Sequence, residues 1–228
     1  MPQLSVLLPT RNEKDNLEVL IPRLDSVLRD IGVPYETIVV DGDSTDGTLA
    51  MARRCCTLAF QQEGKGYGLA LKQGFEAASG EYIVTLDADL SHDPKFIPSL
   101  WANRERADVV VASRYCEGGG AQAPLFRRVL SQVLNWFFTR SFGVPITDLS
   151  SGFRLYKADV IKRVEFEGTS YDALEEILIR IHNDRGRIIE VPFTYLPRVH
   201  GTSNANILRI GLRLLATYFR LRRLRRSN

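Results

Sequence analysis

The chain has 228 residues, with 44% hydrophobic and 25% charged content and a net charge of +3, which is typical of a globular protein with one good-sized α/β domain. Its three cysteines lack C-x-x-C spacing and its three histidines lack H-E-x-x-H spacing, which indicates inert thiols and disfavours a zinc hydrolase. No run approaches the ~18 apolar residues of a membrane-spanning helix, and no signal peptide opens the chain. We therefore expect a cytoplasmic protein that does not cross a bilayer by itself.

The first half of the chain alternates short apolar segments with amphipathic ones. Strands are predicted at Leu4–Pro9, Tyr35–Val40, Thr57–Gln61 and Tyr82–Leu86, and helices at Asn16–Ile31, after Thr48 and at Gly68–Ala78. This alternation is typical of βα units, so we predict an α/β fold with a mostly parallel central sheet and helices on both faces. Ligands of such sheets collect at the carboxyl ends of the strands.

Acidic residues follow the fourth predicted strand directly. They are Asp87 and Asp89, with Asp93 close behind. In an extended chain, side chains two residues apart point to the same side, so Asp87 and Asp89 can face one ligand. Paired carboxylates repel each other unless a cation lies between them, which predicts Mg²⁺ or Mn²⁺ bound together with the diphosphate of a nucleotide. Taken alone, the same pattern is also typical of a solvated turn.

Two further motifs have competing interpretations. The run of aspartates in Asp41–Thr48 is similar to a calcium loop, but its spacing fails that of an EF-hand, which also needs a glutamate near Ala52. Gly64, Gly66 and Gly68 precede a predicted helix with G-x-G-x-G spacing, which does not fit a dinucleotide-binding Rossmann dehydrogenase. We expect these glycines to let the backbone approach a nucleotide closely, or simply to open the helix.

Short motifs recur along nearly the whole chain. They are P-T-R-N-E at Pro9–Glu13, V-D-G-D-S-T-D-G-T at Val40–Thr48, G-K-G-Y-G-L-A at Gly64–Ala70, L-D-A-D-L-S-H-D-P at Leu86–Pro94, S-R-Y at Ser113–Tyr115, S-G-F-R at Ser151–Arg154, E-V-P-F at Glu190–Phe193 and R-V-H-G-T-S at Arg198–Ser203. Each motif is weak by itself. In this order they resemble the inverting family 2 glycosyltransferases of the GT-A fold, most closely the dolichyl or polyprenyl phosphate mannose synthases.

The resemblance implies a GT-A fold with a Rossmann-like half that binds a nucleotide sugar. It implies metal-dependent transfer of a hexose, above all mannose from GDP-mannose, to a polyprenyl or dolichyl phosphate. The positions that match donor-binding residues of the family are Pro9, Arg11, Glu13, Val40, Asp41, Asp87, Ala88, Asp89 and Ser91. Asp89 matches the main metal ligand and Asp87 a supporting one. The positions that match the acceptor phosphate site are Arg114, Arg127, Ser131 and Arg198, and three of these, the arginines, join Asp89 as catalytic candidates.

The chain departs from the family pattern at four of the matched positions. Ser91 stands where well-studied members have a metal-binding glutamine, and Gly42 replaces the second aspartate of V-D-D. Arg11 replaces the tyrosine of P-T-Y-N-E, and Asn204 replaces the lysine after G-x-S. These differences bear on which base and which sugar the chain binds, and they leave a glucose-type UDP-sugar open as the donor.

The acceptor chemistry can be argued from charge. A phosphate monoester carries about −1.5 to −2 near neutral pH, so it needs no catalytic base but does need cations to orient it, and arginine matches phosphate with paired donors. Transfer to a sugar hydroxyl would instead need a carboxylate base, for which Glu176 is the candidate. Gly118–Gly120 is interpreted as a mobile acceptor loop or a plain linker. A nonenzymatic, peripheral nucleotide-binding module is the alternative from another class.

The end of the chain is strongly basic. Residues 207–228 carry seven arginines, no lysine and no acidic residue, so their net charge is +7. Because the whole chain has a net charge of +3, residues 1–206 have a net charge of 3 − 7 = −4. We predict a glycosyltransferase domain over 1–206 and, over 207–228, a basic amphipathic helix that either binds the anionic cytoplasmic face of a membrane or packs on the domain. The aromatic residues of Val129–Phe142 are expected to fill the core, with a position at the membrane interface as the alternative. No nucleic-acid partner is expected, and the oligomeric state is left open.

Overall fold

The computed structural model describes residues 1–197 and 216–222. The strands are β1 (Leu4–Thr10), β2 (Tyr35–Asp41), β3 (Leu58–Gln61), β4 (Tyr82–Thr85), β5 (Val109–Ser113), β6 (Gly120–Ala121), β7 (Arg154–Lys157), β8 (Ile188–Pro192) and β9 (Thr194–Tyr195). The helices are α1 (Lys14–Ile31), α2 (Thr48–Cys55), α3 (Tyr67–Ala77), α4 (Ile97–Ala102), α5 (Leu125–Phe142), α6 (Ala158–Ile161) and α7 (Asp172–Asn183). Short 3-10 turns lie at Pro94–Phe96 and Arg104–Arg106, and residues 216–222 are helical.

Seven strands form one sheet in the order β3-β2-β1-β4-β7-β5-β8. Every neighbouring pair in it is parallel except the two pairs that include β7, which runs antiparallel to both β4 and β5. This confirms the predicted α/β fold with a mostly parallel sheet. The strand order reverses beside β1, with β2 on one side and β4 on the other, and such a reversal opens a ligand crevice at the carboxyl ends of the strands.

Apolar side chains from alternate strand positions build a separate core on each face of the sheet. Along β1, Leu7 belongs to one buried cluster, whereas Val6 and Leu8 belong to the other. The first cluster lies under α3, α5 and α7, and the second lies under α1 and α4. Both faces of the sheet are therefore covered by helices, as predicted.

Helix α1 shows how the sequence sets an element's limits. Its apolar residues recur every three or four positions and are buried against the sheet, namely Leu17, Leu20, Ile21, Leu24 and Leu28. Gly32 ends the helix in the left-handed conformation (φ 76°), and its N–H donates to the carbonyl of Leu28. Glycine adopts this conformation without the steric penalty of a side chain, so the helix ends at this position.

Helix α5 differs from its prediction. Only a narrow side of it, formed by Asn135, Phe138 and Phe142, is buried. Val133 and Trp136 are 54% and 66% exposed, and the same solvent-facing surface includes Leu125, Phe126, Val129 and Phe137. The prediction that the aromatic residues of Val129–Phe142 fill the core is correct for Phe138 and Phe142 but wrong for Trp136 and Phe137, because the helix contacts the domain along one edge only.

Part of the predicted C-terminal helix packs on the domain. Leu221 is buried in the core, and the ring of Tyr218 lies against Phe138 and Phe142 at centroid distances of 6.1 and 5.7 Å. Arg220 pairs with the side chains of Asp172 and Glu176 on α7, as described below. The rest of residues 207–228 lies outside the described residues. In residues 1–197 and 216–222, no helix is long and apolar enough to cross a bilayer.

Candidate active site

Three loops at the carboxyl edge of the sheet contain residues with strained backbone. Asn12 follows β1, Asp43 follows β2 and Leu90 follows β4, and their φ angles are 57°, 66° and 65°. Residues with side chains rarely adopt this left-handed conformation, and such strain is concentrated at functional sites. The three loops are those that carry most of the predicted donor-binding residues.

The turn after β4 holds Asp89 in a fixed orientation. Its Oδ1 atom accepts hydrogen bonds from the backbone N–H of Ser91, at 3.0 Å, and from the Ser91 hydroxyl. Leu90, between the two, takes the strained conformation that closes this turn. Ser91 is fully buried and Asp89 nearly so. The structure therefore places Ser91 as a support for Asp89, a role the sequence did not indicate.

Asp87 is held by Tyr67 and by His92. The Tyr67 hydroxyl donates to Asp87 Oδ1 at 3.0 Å, and the Asp87 N–H donates to Nδ1 of His92 at 2.9 Å. Burial and the adjacent Asp87 carboxylate raise the pKa of Tyr67, so its hydroxyl remains a proton donor. A Cβ atom at Gly152 would lie 2.9 Å from that hydroxyl, which explains the glycine of the S-G-F-R motif.

His92 was not assigned a role from the sequence, although it lies within the L-D-A-D-L-S-H-D-P motif. Its ring is buried, stacks on Phe153 at 5.2 Å and meets the edges of Phe193 and Tyr195. Burial lowers the pKa of His92, which agrees with an Nδ1 atom that accepts a hydrogen bond from Asp87. Only its place in the motif could have signalled this role.

Arg114 forms a buried ion pair with Asp148. Its Nε and Nη2 atoms donate to the two carboxylate oxygens, both at 2.7 Å, and Nη2 also donates to Ser150 Oγ at 2.8 Å. Burial opposes the charge on Arg114, but the hydrogen bonds and the negative charge of Asp148 together outweigh it and raise the pKa of Arg114. Nη1 makes no hydrogen bond to any residue that the structure describes. One edge of the guanidinium therefore remains available to an anion.

Tyr195 and His92 connect the acidic turn to Arg114. The Arg114 guanidinium lies 5.8 Å from the ring centre of Tyr195, which lies 6.1 Å from that of His92. The charges of both Asp87 and Asp89 act on His92, as does that of Arg114. The structure thus brings two carboxylates and one guanidinium around a single imidazole.

Among the predicted donor-binding residues, Asp41 connects the end of β1 to the loop after β2 by hydrogen bonds. It is 1% exposed, and its carboxylate accepts hydrogen bonds from the Thr10 hydroxyl at 3.2 Å, from the Ser44 N–H at 2.9 Å and from the Ser44 hydroxyl. Pro9 and Val40 are buried and paired in register on the adjacent strands. These contacts fix the floor of the crevice.

Two more predicted donor-binding residues lie just beyond β1. Arg11 is exposed and forms no ion pair within the described part of the chain. Glu13 is half-buried, accepts a hydrogen bond from the Asn16 side chain, and donates its N–H to the Thr48 hydroxyl at 2.9 Å. The remaining one, Ala88, is buried between the two aspartates. All the predicted donor-side residues therefore lie at or near one edge of the sheet.

The glycines before α3 serve chain packing. A Cβ atom on Gly66 would lie 2.0 Å from the carbonyl oxygen of Thr169, and one on Gly68 would lie 2.1 Å from that of Gly168. The Gly68 N–H donates to the Thr169 carbonyl at 3.1 Å. These two glycines are therefore required by the close approach of another backbone segment, and Gly66 (φ 120°) precedes the first residue of α3, in agreement with the alternative that the glycines open the helix.

The predicted acceptor residues on α5 lie one turn apart. Arg127 is exposed and forms no ion pair with the residues described, and Ser131 is half-buried. Arg198 lies outside the described residues. The expected acceptor loop ends in β6, which pairs with β9 and so continues directly beside Tyr195. Gly120, the last residue of the expected loop, is thus part of a strand, which excludes a plain linker at that residue.

Glu176, the candidate base for a hydroxyl acceptor, is fully buried and saturated with hydrogen bonds. Its Oε1 atom accepts from Arg180 at 2.8 Å and from the Glu167 N–H at 3.1 Å. Its Oε2 atom accepts from the Gly168 N–H at 2.9 Å and from Arg220 at 2.7 Å. This geometry leaves no position on the carboxylate for a substrate hydroxyl, so the prediction is not supported.

Arg154 of the S-G-F-R motif is a structural residue. It is fully buried and donates to the carbonyl of Leu149 at 2.7 Å, to that of Leu174 at 2.9 Å and to the Tyr156 hydroxyl at 3.1 Å. It thereby ties the loop that contains Asp148 to the first turn of α7.

The aspartate pair has the right chemistry for a hard divalent cation. Mg²⁺ sites in nucleotide enzymes use one or two carboxylates, with the remaining ligands supplied by phosphate and water. Asp87 and Asp89 provide two such carboxylates, and no group of three or more metal-ligating side chains occurs among the described residues. The donor set therefore fits Mg²⁺ or Mn²⁺ held jointly with a nucleotide.

Residues 5–165 match the family described as Glycosyl transferase family 2. The chain belongs to this family. The match covers well over half of the sequence and includes the acidic turn, Arg114 and the S-G-F-R motif. It confirms the resemblance drawn from the motifs.

Several curated relatives of this family 2 chain are similar over most of its length. A dolichol-phosphate mannosyltransferase from Pyrococcus furiosus is 35% identical in an alignment of 212 positions that covers 88% of this chain and 58% of that protein. A low-salt glycan biosynthesis hexosyltransferase, Agl6, from Haloferax volcanii is 32% identical over 86% of this chain and 48% of that protein. A dodecaprenyl-phosphate galacturonate synthase from Rhizobium johnstonii is 30% identical over 96% and 68%. The chain thus spans about half to two thirds of the length of these relatives.

Solved structures support the fold of this family 2 chain. Glucosyl-3-phosphoglycerate synthase from Mycobacterium tuberculosis, in complex with Mn²⁺, uridine diphosphate and phosphoglyceric acid, matches it with a TM-score of 0.77. The match covers 96% of this chain and 78% of that one at 21% identity. A complex of the same synthase with Mg²⁺ and uridine diphosphate has a TM-score of 0.74. At this identity the likeness concerns the fold, and it confirms the predicted GT-A fold.

Proposed function

We propose that this chain transfers a hexose from a nucleotide sugar to a polyprenyl phosphate and inverts the anomeric carbon. The observation that carries the proposal is that the acidic turn of Asp87 and Asp89 contacts His92, which in turn lies next to Tyr195 and Arg114. The first group suits a nucleoside diphosphate with its cation, and the second suits an anionic acceptor. Mannose from GDP-mannose is the proposed donor, which the 35% identity to a dolichol-phosphate mannosyltransferase supports.

On the donor side, the two aspartates would hold the divalent cation that binds the diphosphate of the nucleotide sugar. A bound Mg²⁺ or Mn²⁺ supplies positive charge that stabilises the departing diphosphate. Tyr67 and His92 orient Asp87, and Ser91 orients Asp89, so the two carboxylates need little rearrangement when the ligand binds. The supports observed around both carboxylates are what such preorganisation requires.

On the acceptor side, arginines orient a phosphate that is already ionised. Arg114 presents Nη1, and Arg127 presents its whole guanidinium together with the Ser131 hydroxyl one turn away. A phosphate oxygen forms the new bond to the anomeric carbon while the bond from that carbon to the diphosphate oxygen breaks. No proton needs to be removed from the acceptor, so the saturated Glu176 is no obstacle to this reaction.

The acceptor is a lipid, so we also propose that the chain binds a membrane surface on its cytoplasmic side. The exposed apolar face of α5 carries Trp136 and Phe126, and basic side chains at Arg127, Arg128 and Arg140 belong to the same helix. Aromatic residues flanked by arginines are typical of helices that lie in an anionic lipid interface. In the C-terminal segment, Phe219 is 59% exposed and adds to this apolar surface.

A UDP-sugar is the second candidate donor. It is favoured by the uridine diphosphate complexes of the structural neighbours. The two donors predict the same acceptor chemistry and differ only in the base and the sugar. A single donor panel distinguishes them.

The proposal is tested with radiolabelled GDP-mannose, UDP-glucose and UDP-galactose, each supplied with Mn²⁺ and one polyprenyl phosphate. We expect label from GDP-mannose to enter the organic phase, and little from the UDP-sugars. Preference for a UDP-sugar would replace the donor but keep the reaction. No transfer from any donor, or transfer to a sugar hydroxyl in place of the lipid phosphate, would contradict the proposed function.

A further inference from the structure

Asn135 lies on α5, one helical turn after Ser131 and two turns after Arg127, the predicted acceptor residues of that helix. Arg127, Ser131 and Asn135 recur every four residues and therefore follow one side of the helix. Asn135 is 4% exposed, whereas Arg127 is exposed and Ser131 half-buried. Asparagine is a poor residue for a helix interior, because its side chain competes for backbone hydrogen bonds. A buried asparagine at this point calls for a specific set of partners.

The Asn135 amide has all its hydrogen-bonding positions occupied. Its Oδ1 atom accepts from the backbone N–H of Leu149 at 2.7 Å and from that of Ser150 at 3.1 Å. Its Nδ2 atom donates to the Ser131 carbonyl at 2.9 Å and to the Ser150 hydroxyl at 3.0 Å. A side-chain amide has two donors and two acceptor positions, so this network also fixes which way the amide faces.

Ser150 joins Asn135 to the Arg114 ion pair. The oxygen that accepts from Asn135 Nδ2 also accepts from Arg114 Nη2, at 2.8 Å, and lies 3.3 Å from Asp148 Oδ1. Asn135 and Arg114 are thus separated by a single hydroxyl group. The same asparagine binds the backbone N–H groups of Leu149 and Ser150 and the carbonyl of Ser131 on the preceding helical turn.

We propose that Asn135 is a positioning residue that sets the placement of α5 relative to Arg114, and so shapes the acceptor phosphate site. This inference rests on the proposed function. Arg114 is on the loop after β5 and Arg127 is on α5, and the two can act on one phosphate only if their separation is fixed. In the described residues, Asn135 is the side chain that hydrogen bonds both to α5 and to the loop that anchors Arg114.

The test compares Asn135→Asp with wild type in steady-state transfer to a short-chain polyprenyl phosphate. The aspartate keeps the shape and the acceptor oxygen but loses both N–H donors. We expect the KM for the acceptor to rise about tenfold, as for a buried polar partner left unpaired, with the Kd for Mn²⁺ and nucleoside diphosphate unchanged. Asn103→Asp is the matched control, because Asn103 makes the same bond to the carbonyl four residues earlier, Ser99 O at 2.9 Å, in α4.

A double-mutant cycle with Ser150→Ala shows whether Asn135 acts through that hydroxyl. The double variant should be no worse than the more affected single variant. An unchanged acceptor KM in Asn135→Asp, or an equal loss of acceptor and nucleotide binding, would overturn the inference while wild-type transfer still supports the proposed function. If wild type transfers nothing to the lipid phosphate, both proposals fall together. The Asn135→Asp variant counts as folded if its thermal unfolding midpoint lies within a few degrees of that of wild type. If it does not, the same measurements are made with Asn135→Ser.

Discussion

Glu175 is buried at the start of α7, and its Oε2 atom has no hydrogen-bond partner among the described residues. Burial raises the pKa of Glu175 to about 7, and the nearby charge of Arg154 offsets only part of that effect. An unpaired buried carboxylate is costly, whereas a protonated carboxyl group is not. The folded chain therefore holds a proton on Glu175 at pH values at which an unfolded chain releases it.

This proton makes stability depend on pH in a defined direction. The folded pKa of about 7 lies above the value of ~4.3 for an unfolded glutamate, so the contribution of Glu175 is full below ~4.3 and is lost as the pH rises through 7. We expect Glu175→Gln to be more stable than wild type at pH 8, and the difference in unfolding free energy to grow by about 3 kcal/mol between pH 5 and pH 8.

Urea unfolding of both proteins across this pH range measures the effect. The exposed Glu76 on α3 provides the control, since Glu76→Gln should leave the pH dependence of wild type unchanged. A constant difference between Glu175→Gln and wild type at all pH values would show that Glu175 is ionised in the folded state and would refute the prediction.

For individual residues, the sequence predicts which side chains lie near the site more reliably than it predicts the role of each side chain. Asp87 and Asp89 could be placed because alternate residues beyond a strand share a side. Asp41 and Glu176 were also placed near functional segments, yet their oxygens are used by neighbouring N–H and O–H groups. Some of those partners are local, but Thr10 for Asp41 and Arg220 for Glu176 come from distant segments, so complete hydrogen bonding depends on tertiary contacts that no local pattern contains.

At the scale of elements, α5 has one buried edge and a broad apolar face in solvent. Burial of an aromatic side chain contributes roughly 1.5 to 3 kcal/mol, so Trp136 and Phe126 together should dominate the affinity for a lipid interface. We expect Trp136→Glu to weaken binding to vesicles of phosphatidylcholine with phosphatidylglycerol by about tenfold or more.

Vesicle sedimentation measures this binding. Val19→Glu on α1 is the matched control, because Val19 is also an exposed apolar residue but lies on a different helix. It should bind vesicles as wild type does. Equal vesicle binding by Trp136→Glu and wild type would contradict a membrane role for this face of α5.

The strands and helices of the first half were predictable because each apolar run is bounded by proline, glycine or aspartate. Helix α5 was predictable as a helix but not in its exposure, since its apolar residues surround most of its circumference and give no sign of which side is covered. The two-residue strands β6 and β9 were missed. They are too short to show any alternation and form only because the chain segments meet.

The whole molecule is a GT-A fold in which one strand reverses direction within an otherwise parallel sheet. Strand β7 runs antiparallel between β4 and β5 and begins with Arg154, directly after Phe153, on which His92 stacks. This insertion brings the S-G-F-R segment beneath the acidic turn and the loop of Asp148 beside Arg114. The order of βα units predicted the parallel part, whereas the reversal follows from no local signal.

The central claim is that the aspartate pair at this crevice binds a nucleoside diphosphate through a divalent cation. Calorimetric titration of GDP and UDP in the presence and absence of Mn²⁺ tests it, with Asp89→Asn compared with Asp93→Asn. Asp93 lies in the same loop, but it caps the following 3-10 turn and pairs with Lys95. Asp93→Asn therefore removes the same charge from the same loop as Asp89→Asn does. We predict binding that requires Mn²⁺, is unchanged in Asp93→Asn and is at least about tenfold weaker in Asp89→Asn. Binding that is independent of Mn²⁺, or equal in Asp89→Asn and wild type, would contradict the account.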